Sequence, residues 1–425
     1  MSAVGAVSRP ATAADAVDGV QPEVVVEPST LEEASEVLRE AAAQGRRVVC
    51  RGGGSKLGWG SPPRGAEVLV STTRLDRVVE HAEGDLIVRT EAGVRLDALQ
   101  ELLGKAGQVL ALDPPEEGAT VGGIVAAGAS GPRRLRYGTA RDLLIGITVV
   151  LAGGTVARAG GKVVKNVAGY DLGKLFTGSL GTLGLIAEVT FRLHPRGTSR
   201  SGAVLEVDRP GRAGEAVQAL VHAQLAPTAL ELFWPDPSGP GRLVLVVEGP
   251  SGAVVEQAKA AVRLLEPHGE PDLVVDPGSA ESAMDGFGRR PWQAGRGDGP
   301  SGDGPLVGVK AACVPVELPG VTEDLWAAAA AHGLAVSLQA HAGVGVTYAA
   351  LRGGDAVALA AAVEEARGRL QRRGGTLAVL EAPLEVKRRV DVWGPVGDAL
   401  GLMRRVKERF DPGGTMSPGR FVGGI

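Results

Sequence analysis

Apolar residues recur at helical spacing in the stretch that follows Pro28. Between residues 29 and 45 they fall on one face of a 3.6-residue repeat, at Leu31, Ala34, Val37, Leu38, Ala41 and Ala42. Ser29 and Glu32 have the spacing of a capping box, and Gly45 supplies a stop signal. The pattern predicts an amphipathic helix between these two signals.

Shorter apolar runs on both sides of this helix have the length and composition of strands. They include VVC at 48–50, VLVS at 68–71 and LIVRT at 86–90. VRLDALQELLGK at 94–105 predicts a second helix, and LLIGITVV followed by Gly153 and Gly154 predicts a buried hairpin. Helices placed among strands and glycine turns predict an α+β fold.

The pattern changes near Ser199, where longer apolar strands alternate with alanine-rich helices. Examples are RLVLVVEG at 242–249 and AVVEQAKAAVRLL at 253–265. The change predicts a second α+β domain, which contains a Gly- and Asp-rich loop at 294–305 whose role the sequence leaves open. At the other end, residues 1–21 have no apolar period and are expected to form a disordered tail.

Charge and cysteine content narrow the class of protein. The 425 residues carry 45 basic and 49 acidic side chains, so we expect neither nucleic acid nor an anionic membrane as a partner. The two cysteines form no ligand spacing, which argues against a disulfide framework and against an iron–sulfur or structural zinc site on this chain. No apolar run approaches the ~20 residues that span a bilayer. The expectation is a cytoplasmic protein without a metal.

Three consecutive glycines, Gly52 to Gly54, follow a predicted strand directly. Such bare backbone can present successive peptide N–H groups to an anion, because no Cβ blocks its approach. A plain flexible turn is the alternative for a chain that contains 64 glycines. The triple glycine is therefore a candidate phosphate site that needs support from other segments.

Several common catalytic motifs are missing. The residues around Gly161 and Lys162 lack the earlier glycine and the following Ser or Thr of a nucleotide-binding P-loop. Leu57 replaces the third glycine of a Rossmann fingerprint, and no helix of useful length follows it. Neither a G-x-S-x-G elbow nor an H-E-x-x-H motif occurs, so serine hydrolase and zinc protease chemistry have no support.

Five segments in a fixed order carry a resemblance to a known family. They are CRGGGSKLG, LALDPPEEGATVGGIVAAGASG, RYGTARD, GGKVVKNVAGYDLGKLFTGSLGTLGLIAEVTF and FDPGGTMSPGRF. Together they resemble the flavoprotein superfamily of p-cresol methylhydroxylase and vanillyl-alcohol oxidase, and within it the glycolate oxidase group, which acts on 2-hydroxy acids. The resemblance extends from about Pro22 to Pro195 and returns over the last 15 residues.

The resemblance implies an FAD-binding domain of two α+β subdomains over 22–198 and an α+β cap over 199–380. It also implies that a C-terminal segment, 381–425, packs on the FAD domain. The FAD is expected to be non-covalent, because Ser55 and Lys56 stand where some relatives carry a flavin-linked histidine. The implied cofactor-binding residues are Arg51, Gly52, Gly53, Gly54, Ser55, Lys56, Asp113, Pro114, Thr120, Gly122, Gly123, Gly128, Tyr137, Gly138, Asp142, Gly181, Gly184, Ile186 and Ser417. For Gly181 and Gly184, close backbone packing is the alternative.

Departures from the family pattern concern the catalytic machinery. Relatives that oxidise 2-hydroxy acids carry a cap segment resembling H-x-G-D-G-N-x-H, whose histidines hold a divalent metal. Here the segment reads HAGVGVTY, so that only His341 remains, with Val344, Val346 and Tyr348 in place of the other ligand types. One histidine cannot fill a metal coordination shell, and on such a strand it is usually structural. The catalytic residues stay unassigned, with His341 as the candidate for a substrate contact.

These departures make the chain resemble the second, metal-free flavin subunit of glycolate oxidase. Such a subunit works beside a paralogous catalytic FAD subunit and an iron–sulfur subunit, on a small 2-hydroxy acid, and meets a membrane only through its partners. Two alternatives remain open. One is a free-standing FAD-dependent oxidoreductase for another 2-hydroxy acid, a sugar lactone or an alcohol, for which Arg289, Arg290 and Arg296 near Trp292 are candidate cations. The other is a non-catalytic FAD-binding scaffold.

Overall fold

A computed structural model describes residues 5–161, 171–275, 289–293 and 304–425. Residues 162–170 of the family segment that begins GGKVVKNVAGYDL lie outside these ranges, as does most of the 294–305 loop, with Arg296. The contacts divide the chain into two compact units. Unit 1 comprises 1–130, 138–196 and 395–425, and unit 2 comprises 131–137 and 197–394.

The strands are numbered in chain order. They are β1 Val7–Pro10, β2 Val24–Glu27, β3 Val48–Arg51, β4 Val68–Ser71, β5 Val78–Ala82, β6 Ile87–Glu91, β7 Gln108–Val109, β8 Leu144–Val150, β9 Val156–Gly160, β10 Leu185–Arg192, β11 His194–Pro195, β12 Ser199–Val207, β13 Ala229–Trp234, β14 Gly241–Gly249, β15 Asp272–Val274, β16 Leu306–Ala312, β17 Ala335–His341, β18 Val346–Arg352 and β19 Thr376–Glu381. The mixture of these strands with helices agrees with the predicted α+β class.

The α-helices are numbered in the same way. They are α1 Leu31–Ala43, α2 Leu96–Lys105, α3 Val121–Ala127, α4 Arg134–Tyr137, α5 Ala140–Leu143, α6 Leu172–Phe176, α7 Pro210–Val221, α8 Ser251–Leu265, α9 Leu318–Ala331, α10 Ala356–Arg372, α11 Leu384–Lys387 and α12 Leu400–Phe410. None of the helices in the described part of the chain is long and apolar enough to cross a membrane.

Helix α1 forms where the apolar period predicts it, but its cap lies one residue later. The hydroxyl of Thr30, not that of Ser29, accepts a hydrogen bond from the Glu33 backbone N–H at 3.1 Å. The Glu33 carboxylate in turn accepts from the Ser29 backbone N–H at 2.7 Å. Ser and Thr are both favoured at the N-cap, so residue preference alone does not distinguish Ser29 from Thr30.

Unit 1 contains a four-stranded sheet in the order β1-β2-β4-β3. Strands β2 and β3 both pair in parallel with β4, because α1 provides the crossover between them, whereas β1 pairs antiparallel with β2. Residues 5–21 are therefore ordered, contrary to the disordered tail that the sequence predicted. The segment is ordered by tertiary contacts, namely the pairing of β1 with the edge of the sheet and the burial of Val17. Such contacts do not require an apolar period in the sequence.

A second sheet of unit 1 has the order β5-β6-β10-β8-β9 and is antiparallel throughout. The predicted hairpin is its β8–β9 pair, which turns through Gly153 and Gly154. Gly154 has a φ of 81°, in the left-handed region that favours glycine. A shared apolar cluster of α1, the first sheet and β10 joins the two sheets.

The C-terminal residues 395–425 belong to unit 1. The backbone N–H of Val48 donates to Thr415 O at 2.8 Å, and the N–H of Ser417 donates to Val48 O at 2.7 Å. The buried Asp411 carboxylate accepts hydrogen bonds from the Met416 backbone N–H at 2.8 Å and from Lys407 Nζ at 2.6 Å. Burial lowers the pKa of Lys407 from its usual value. This arrangement anchors a segment that has little apolar surface of its own.

Unit 2 is built on an eight-stranded antiparallel sheet in the order β15-β12-β14-β13-β17-β18-β16-β19. Alternate residues of its strands form the main core with α7, α8, α9 and α10, which cover one face. The other residues of the central strands point to the opposite face. There the register places Glu231 beside His341, and Gln339 beside Tyr348.

The unit boundaries differ from the predicted domain boundaries of 22–198, 199–380 and 381–425. Residues 131–137, which include α4, pack with unit 2, and 381–394 also stay with unit 2. Leu135 of α4 contacts the unit 2 core, and the Arg133 guanidinium pairs with Glu248 at 3.0 Å. The amino-acid composition of residues 131–137 does not indicate which unit they belong to. Only their tertiary contacts place them in unit 2.

We predict that Asp411→Asn destabilises unit 1 by about 3 kcal/mol, because it leaves the buried Lys407 charge without its carboxylate. Urea denaturation followed by circular dichroism measures the change. Glu101→Gln is the control, since it removes an exposed pair with Lys105 on α2 and should cost less than about 1 kcal/mol. Equal midpoints for wild type and Asp411→Asn would contradict the anchoring role of Asp411.

Candidate functional site

Unit 1 contains a cleft with about 740 Å³ of empty space, part of it open to solvent. Its walls come from the loop after β3, the start of α3 and the segment that leads into β10. Twelve of the residues implied by the family resemblance line it: Arg51, Gly52, Gly53, Gly54, Ser55, Lys56, Thr120, Gly122, Gly123, Gly181, Gly184 and Ile186. Segments that lie far apart in sequence thus meet at one place.

The triple-glycine loop offers hydrogen-bond donors to this cleft. Strand β3 ends at Arg51, and the pairing with β4 ends with the hydrogen bond from Thr72 N to Arg51 O. The backbone N–H groups from Gly52 to Ser55 donate to no acceptor within the described part of the chain. Gly54 has a φ of 79°. A run of unused N–H groups beside a left-handed glycine suits an anionic group such as a phosphate.

The glycines are also required by contacts inside the protein. A Cβ on Gly53 would lie 1.9 Å from Gly118 O, and a Cβ on Gly52 would lie 2.2 Å from the Thr120 hydroxyl oxygen. Real Cβ atoms do not approach other heavy atoms so closely, and the first contact is with rigid backbone. The absence of side chains at Gly52 and Gly53 therefore allows the loop to pack directly against residues 118–120. The N–H groups of the loop remain exposed to the cleft.

The start of α3 contributes shape to the cleft, because the N–H groups of its glycines already donate to other residues. Thr120 caps the helix by accepting from Gly123 N, while Gly122 N donates to Ala92 O at 2.9 Å. A Cβ on Gly122 would lie 2.4 Å from the Cβ of Ala92. These glycines let α3 pack against the turn after β6, and their N–H groups are already used. A ligand in the cleft would contact them through van der Waals surface.

Arg51 is held at the cleft by a residue that the sequence analysis missed. Its guanidinium donates to Asp15 Oδ1 at 2.9 Å, and Arg9 binds the same carboxylate through two hydrogen bonds of 2.8 Å. The Arg9 contact holds the pKa of the buried Asp15 well below its usual range. Asp15 lies in the expected tail, and only the pairing of β1 brings it to this position.

Two other cations of the cleft are also engaged by the protein. Lys56 Nζ lies 3.0 Å from Ser55 Oγ and 3.8 Å from a Glu116 carboxylate oxygen. The buried Arg420 of the C-terminal segment donates to Leu57 O and Trp59 O, and burial lowers its pKa. Arg420 was not among the predicted residues, although the segment that carries it was. These contacts fix the positions of both charges relative to the glycine loop.

The opposite wall contains the predicted Gly181, Gly184 and Ile186. Gly184 has a φ of 151°, and a Cβ there would lie 2.6 Å from Val150 O. Close packing against β8 therefore explains this glycine without a ligand. Gly181 has a φ of 72° and is more open, since the nearest atom to an added Cβ is Ser417 Oγ at 3.4 Å. The Ser417 hydroxyl is buried and has no partner in the described residues.

The remaining predicted residues do not line the cleft: Asp113, Pro114, Gly128, Tyr137, Gly138, Asp142 and Ser417. Asp142 caps α5, because its carboxylate accepts from the Thr139 backbone N–H at 2.8 Å and from the Thr139 hydroxyl. Gly138 has a φ of 80° and packs on that carboxylate. Tyr137 belongs to unit 2, as the last residue of α4. The structure thus gives Asp142, Gly138 and Tyr137 local structural positions, whereas the buried Ser417 hydroxyl has no partner in the described residues.

His341 lies in unit 2, at the end of β17, where it is buried. Its Nδ1 is 2.7 Å from an oxygen of Glu231, another buried residue that the sequence analysis missed. The available signal was a single acidic residue within the apolar strand ALELFW. Within the described residues, no group of three or more His, Cys, Asp or Glu side chains could hold a metal ion.

Comparison with known families identifies the cofactor. Residues 22–160 match the family model described as an FAD binding domain. The matched range contains the glycine loop, the start of α3 and the Asp15-anchored Arg51. The unused N–H groups of the glycine loop fit the diphosphate of FAD. FAD is therefore the cofactor of this chain.

We predict that Gly53→Val abolishes FAD binding, lowering affinity at least about a hundredfold, because the added side chain collides with Gly118 O and displaces the loop that carries the unused N–H groups. Flavin absorbance after reconstitution measures the loss. Far-UV circular dichroism establishes that the variant folds.

Gly84→Val is the matched control. An added Cβ at Gly84 meets no atom within 4 Å, so this variant should keep its flavin. Retention of wild-type flavin content by Gly53→Val would contradict the assignment of the glycine loop.

Similarity to known proteins extends beyond this domain. An uncharacterised FAD-linked oxidoreductase of Mycobacterium tuberculosis is 28% identical, covering 95% of this chain and 91% of the relative. The glycolate oxidase subunit GlcE of Escherichia coli is 34% identical, covering 54% of this chain and 63% of the relative. The solved structure of alkyldihydroxyacetonephosphate synthase shares the fold, with a TM-score of 0.70 at 18% identity over 94% of this chain and 76% of that one. The chain is thus an FAD-dependent oxidoreductase with an FAD-binding domain of the family matched over residues 22–160.

Proposed function

We propose that this chain is an FAD-binding subunit of a glycolate oxidase complex that oxidises glycolate to glyoxylate. The observation that carries the proposal is the contrast between the two units. Unit 1 keeps the glycine-lined cleft of an FAD domain, whereas the one remaining histidine of the cap motif, His341, directs its Nδ1 to Glu231. The similarity to GlcE, which is named as a glycolate oxidase subunit, supports the same role.

In this proposal the loop from Gly52 to Ser55 binds the diphosphate of FAD through its N–H groups. Arg51, held by Asp15, adds positive charge beside it, and α3 provides a close-packed wall. The C-terminal segment contributes Arg420 and the buried Ser417 hydroxyl near Gly181. Bound FAD supplies the ability to accept two electrons as a hydride and to release them one at a time.

The proposed partners are a paralogous catalytic FAD subunit and a separate iron–sulfur subunit. Neither cysteine of this chain is suited to cluster ligation, since burial raises the pKa of Cys50 to about 12 and is the main cause that raises that of Cys313 to about 11. Electrons would therefore leave this chain for clusters held elsewhere. We place the complex in the cytoplasm, with any membrane contact made by its partners.

A second candidate function is a free-standing FAD-dependent oxidoreductase for another 2-hydroxy acid, a sugar lactone or an alcohol. The specific observation in its favour is the buried Glu231–His341 pair, because such a pair can orient an imidazole toward a substrate. Reduction of the flavin by substrate in the isolated chain distinguishes this candidate from the first.

We predict that acid precipitation of the purified chain releases all of its FAD. The physical reason is that the cleft presents Ser55 and Lys56 beside the glycine loop, and no histidine that could link the flavin is among its described lining residues. Absorbance of the supernatant and of the redissolved pellet measures the partition. Flavin that stays with the denatured chain would contradict non-covalent binding.

We predict that the tagged full-length chain, isolated from its native host, co-purifies with a second flavoprotein and an iron–sulfur protein. Under anaerobic conditions the isolated chain should be reduced by dithionite and stay oxidised with glycolate, until the paralogous subunit is added. Absorbance near the flavin maximum follows both reactions. Rapid bleaching by glycolate in the isolated chain, with no co-purifying subunits, would favour the free-standing enzyme instead.

A further inference from the structure

Residues 7–20, called the N-terminal segment below, precede the part of the chain that matches the family model, which begins at residue 22. Strand β1 of this segment pairs with the edge of the first sheet. Val17 is buried in an apolar cluster on which Leu57, a residue of the cleft, also packs. The backbones of Val17 and Val20 exchange two hydrogen bonds, at 2.9 and 3.0 Å. The segment is therefore ordered and shares an apolar cluster with the cleft.

The carboxylate of Asp15 is the centre of the polar contacts of this segment. It is 3% exposed. Its Oδ1 accepts from Arg9 at 2.8 Å and from Arg51 at 2.9 Å. Its Oδ2 accepts from Arg9 at 2.8 Å, from the Thr12 backbone N–H at 2.9 Å and from the Thr12 hydroxyl at 3.0 Å. A carboxylate has about four acceptor sites, so these contacts saturate Asp15 and leave it no capacity for a ligand.

Arg51 is the residue of this cluster that lines the cleft. Within the part of the chain that the structure describes, its guanidinium has one hydrogen-bond partner, the Asp15 carboxylate. An arginine carries several N–H donors in a fixed fork, so most of them stay available. The contact with Asp15 thus restrains the guanidinium and leaves donors for an anion in the cleft.

Arg9 determines the net charge of the cluster. A single pair of Asp15 and Arg51 would be neutral and would attract an anion weakly, whereas a carboxylate shared by two guanidinium groups leaves a net positive charge. Arg9 does not line the cleft, and its side chain is partly exposed. It therefore acts on an anion in the cleft through its charge and not through contact, and salt screens this effect.

A second acidic residue of the N-terminal segment influences another cation of the cleft. Burial lowers the pKa of Arg420, and the negative charge of Asp18 partly offsets this lowering. Arg51 comes from β3 and Arg420 from the C-terminal segment, yet both have a counter-charge in the same short stretch of chain. The N-terminal segment is thus connected to the charges of the cleft at two places.

We propose that the N-terminal segment positions the charge that binds FAD. Asp15 is a positioning residue that orients Arg51 toward the diphosphate, and Arg9 preserves the net positive charge that the diphosphate meets. The inference rests on the placement of the diphosphate in the proposed function and not on the identity of the substrate. It also couples two equilibria, because a ligand that favours the engaged Arg51 must in return stabilise the contact that holds it.

The first test is the affinity of the reconstituted full chain for FAD, measured by the change in flavin fluorescence. Asp15→Asn should lower this affinity about tenfold, because binding must then order a free Arg51 side chain. The direction of the change is diagnostic, since the loss of a negative charge would by itself strengthen the binding of an anion. The control Glu23→Gln removes the same charge from an exposed pair with Arg46 and should change the affinity less than about twofold.

The second test uses salt to separate the charge of Arg9 from its structural contacts. Arg9→Gln keeps the contact between Asp15 and Arg51 and makes it a neutral pair. This variant should lower FAD affinity about threefold at about 0.01 M ionic strength and leave it unchanged at about 1 M, where the Debye length is only ~3 Å. An effect of equal size at both ionic strengths would contradict the role of Arg9 as a charge.

The third test reads the coupling in the wild-type chain and needs no variant. Bound FAD should slow hydrogen exchange at the Val17 and Val20 amides up to about tenfold, the factor by which Asp15→Asn weakens binding, because the coupling is reciprocal. In Asp15→Asn, added FAD should no longer slow these amides. Equal exchange in the FAD-free and FAD-loaded wild type would overturn the coupling.

Two failures can be told apart with the same preparations, whose folding is checked by far-UV circular dichroism. Unchanged or increased FAD affinity in Asp15→Asn, together with loss of FAD in Gly53→Val, would overturn the positioning role and leave the diphosphate site in place. Retention of FAD by Gly53→Val would instead remove the diphosphate from the glycine loop, which is a failure of the proposed function.

Discussion

The cleft of unit 1 depends on how closely two backbone segments approach each other. Gly53 faces the carbonyl oxygen of Gly118 at a distance that admits no Cβ, and Gly52 faces the hydroxyl of Thr120 in the same way. If either residue carried a side chain, the loop after β3 would separate from α3. The same bare backbone leaves successive N–H groups unused. One steric constraint thus produces both the shape of the cleft and its capacity to bind an anion.

Charge in the cleft is arranged by neighbours that are themselves buried. Arg51 donates a hydrogen bond to Asp15, and Lys56 lies beside the Glu116 carboxylate. Arg420 donates to backbone carbonyl oxygens. A cation fixed in this way has less freedom to lose when a ligand binds, so it offers a preorganised partner. Asp411 performs a related task for the C-terminal segment, which reaches the cleft only because its backbone is tied to β3 and α12.

The two faces of the unit 2 sheet differ in polarity. The face under α7 to α10 is an apolar core that supplies stability. The opposite face of β13, β17 and β18 carries the Glu231–His341 pair with aromatic neighbours. The alternation of a strand makes this division possible, because adjacent residues such as Ala340 and His341 point to opposite sides. A local polar site can therefore sit on a stable framework.

The sequence by itself determined the local elements and the identity of the cofactor. The apolar period predicted α1, and the pair Gly153 and Gly154 predicted the β8–β9 turn. The glycine-rich segments, taken in their order along the chain, indicated FAD. These features are encoded within short windows, where spacing and backbone freedom act directly. Tertiary structure alone decided which distant residues meet. Asp15 reaches Arg51 through an edge strand that has no apolar period, and Glu231 reaches His341 across 110 residues through strand register. Such contacts leave no local pattern, because pairing energy comes from the whole sheet and not from the residues that it brings together.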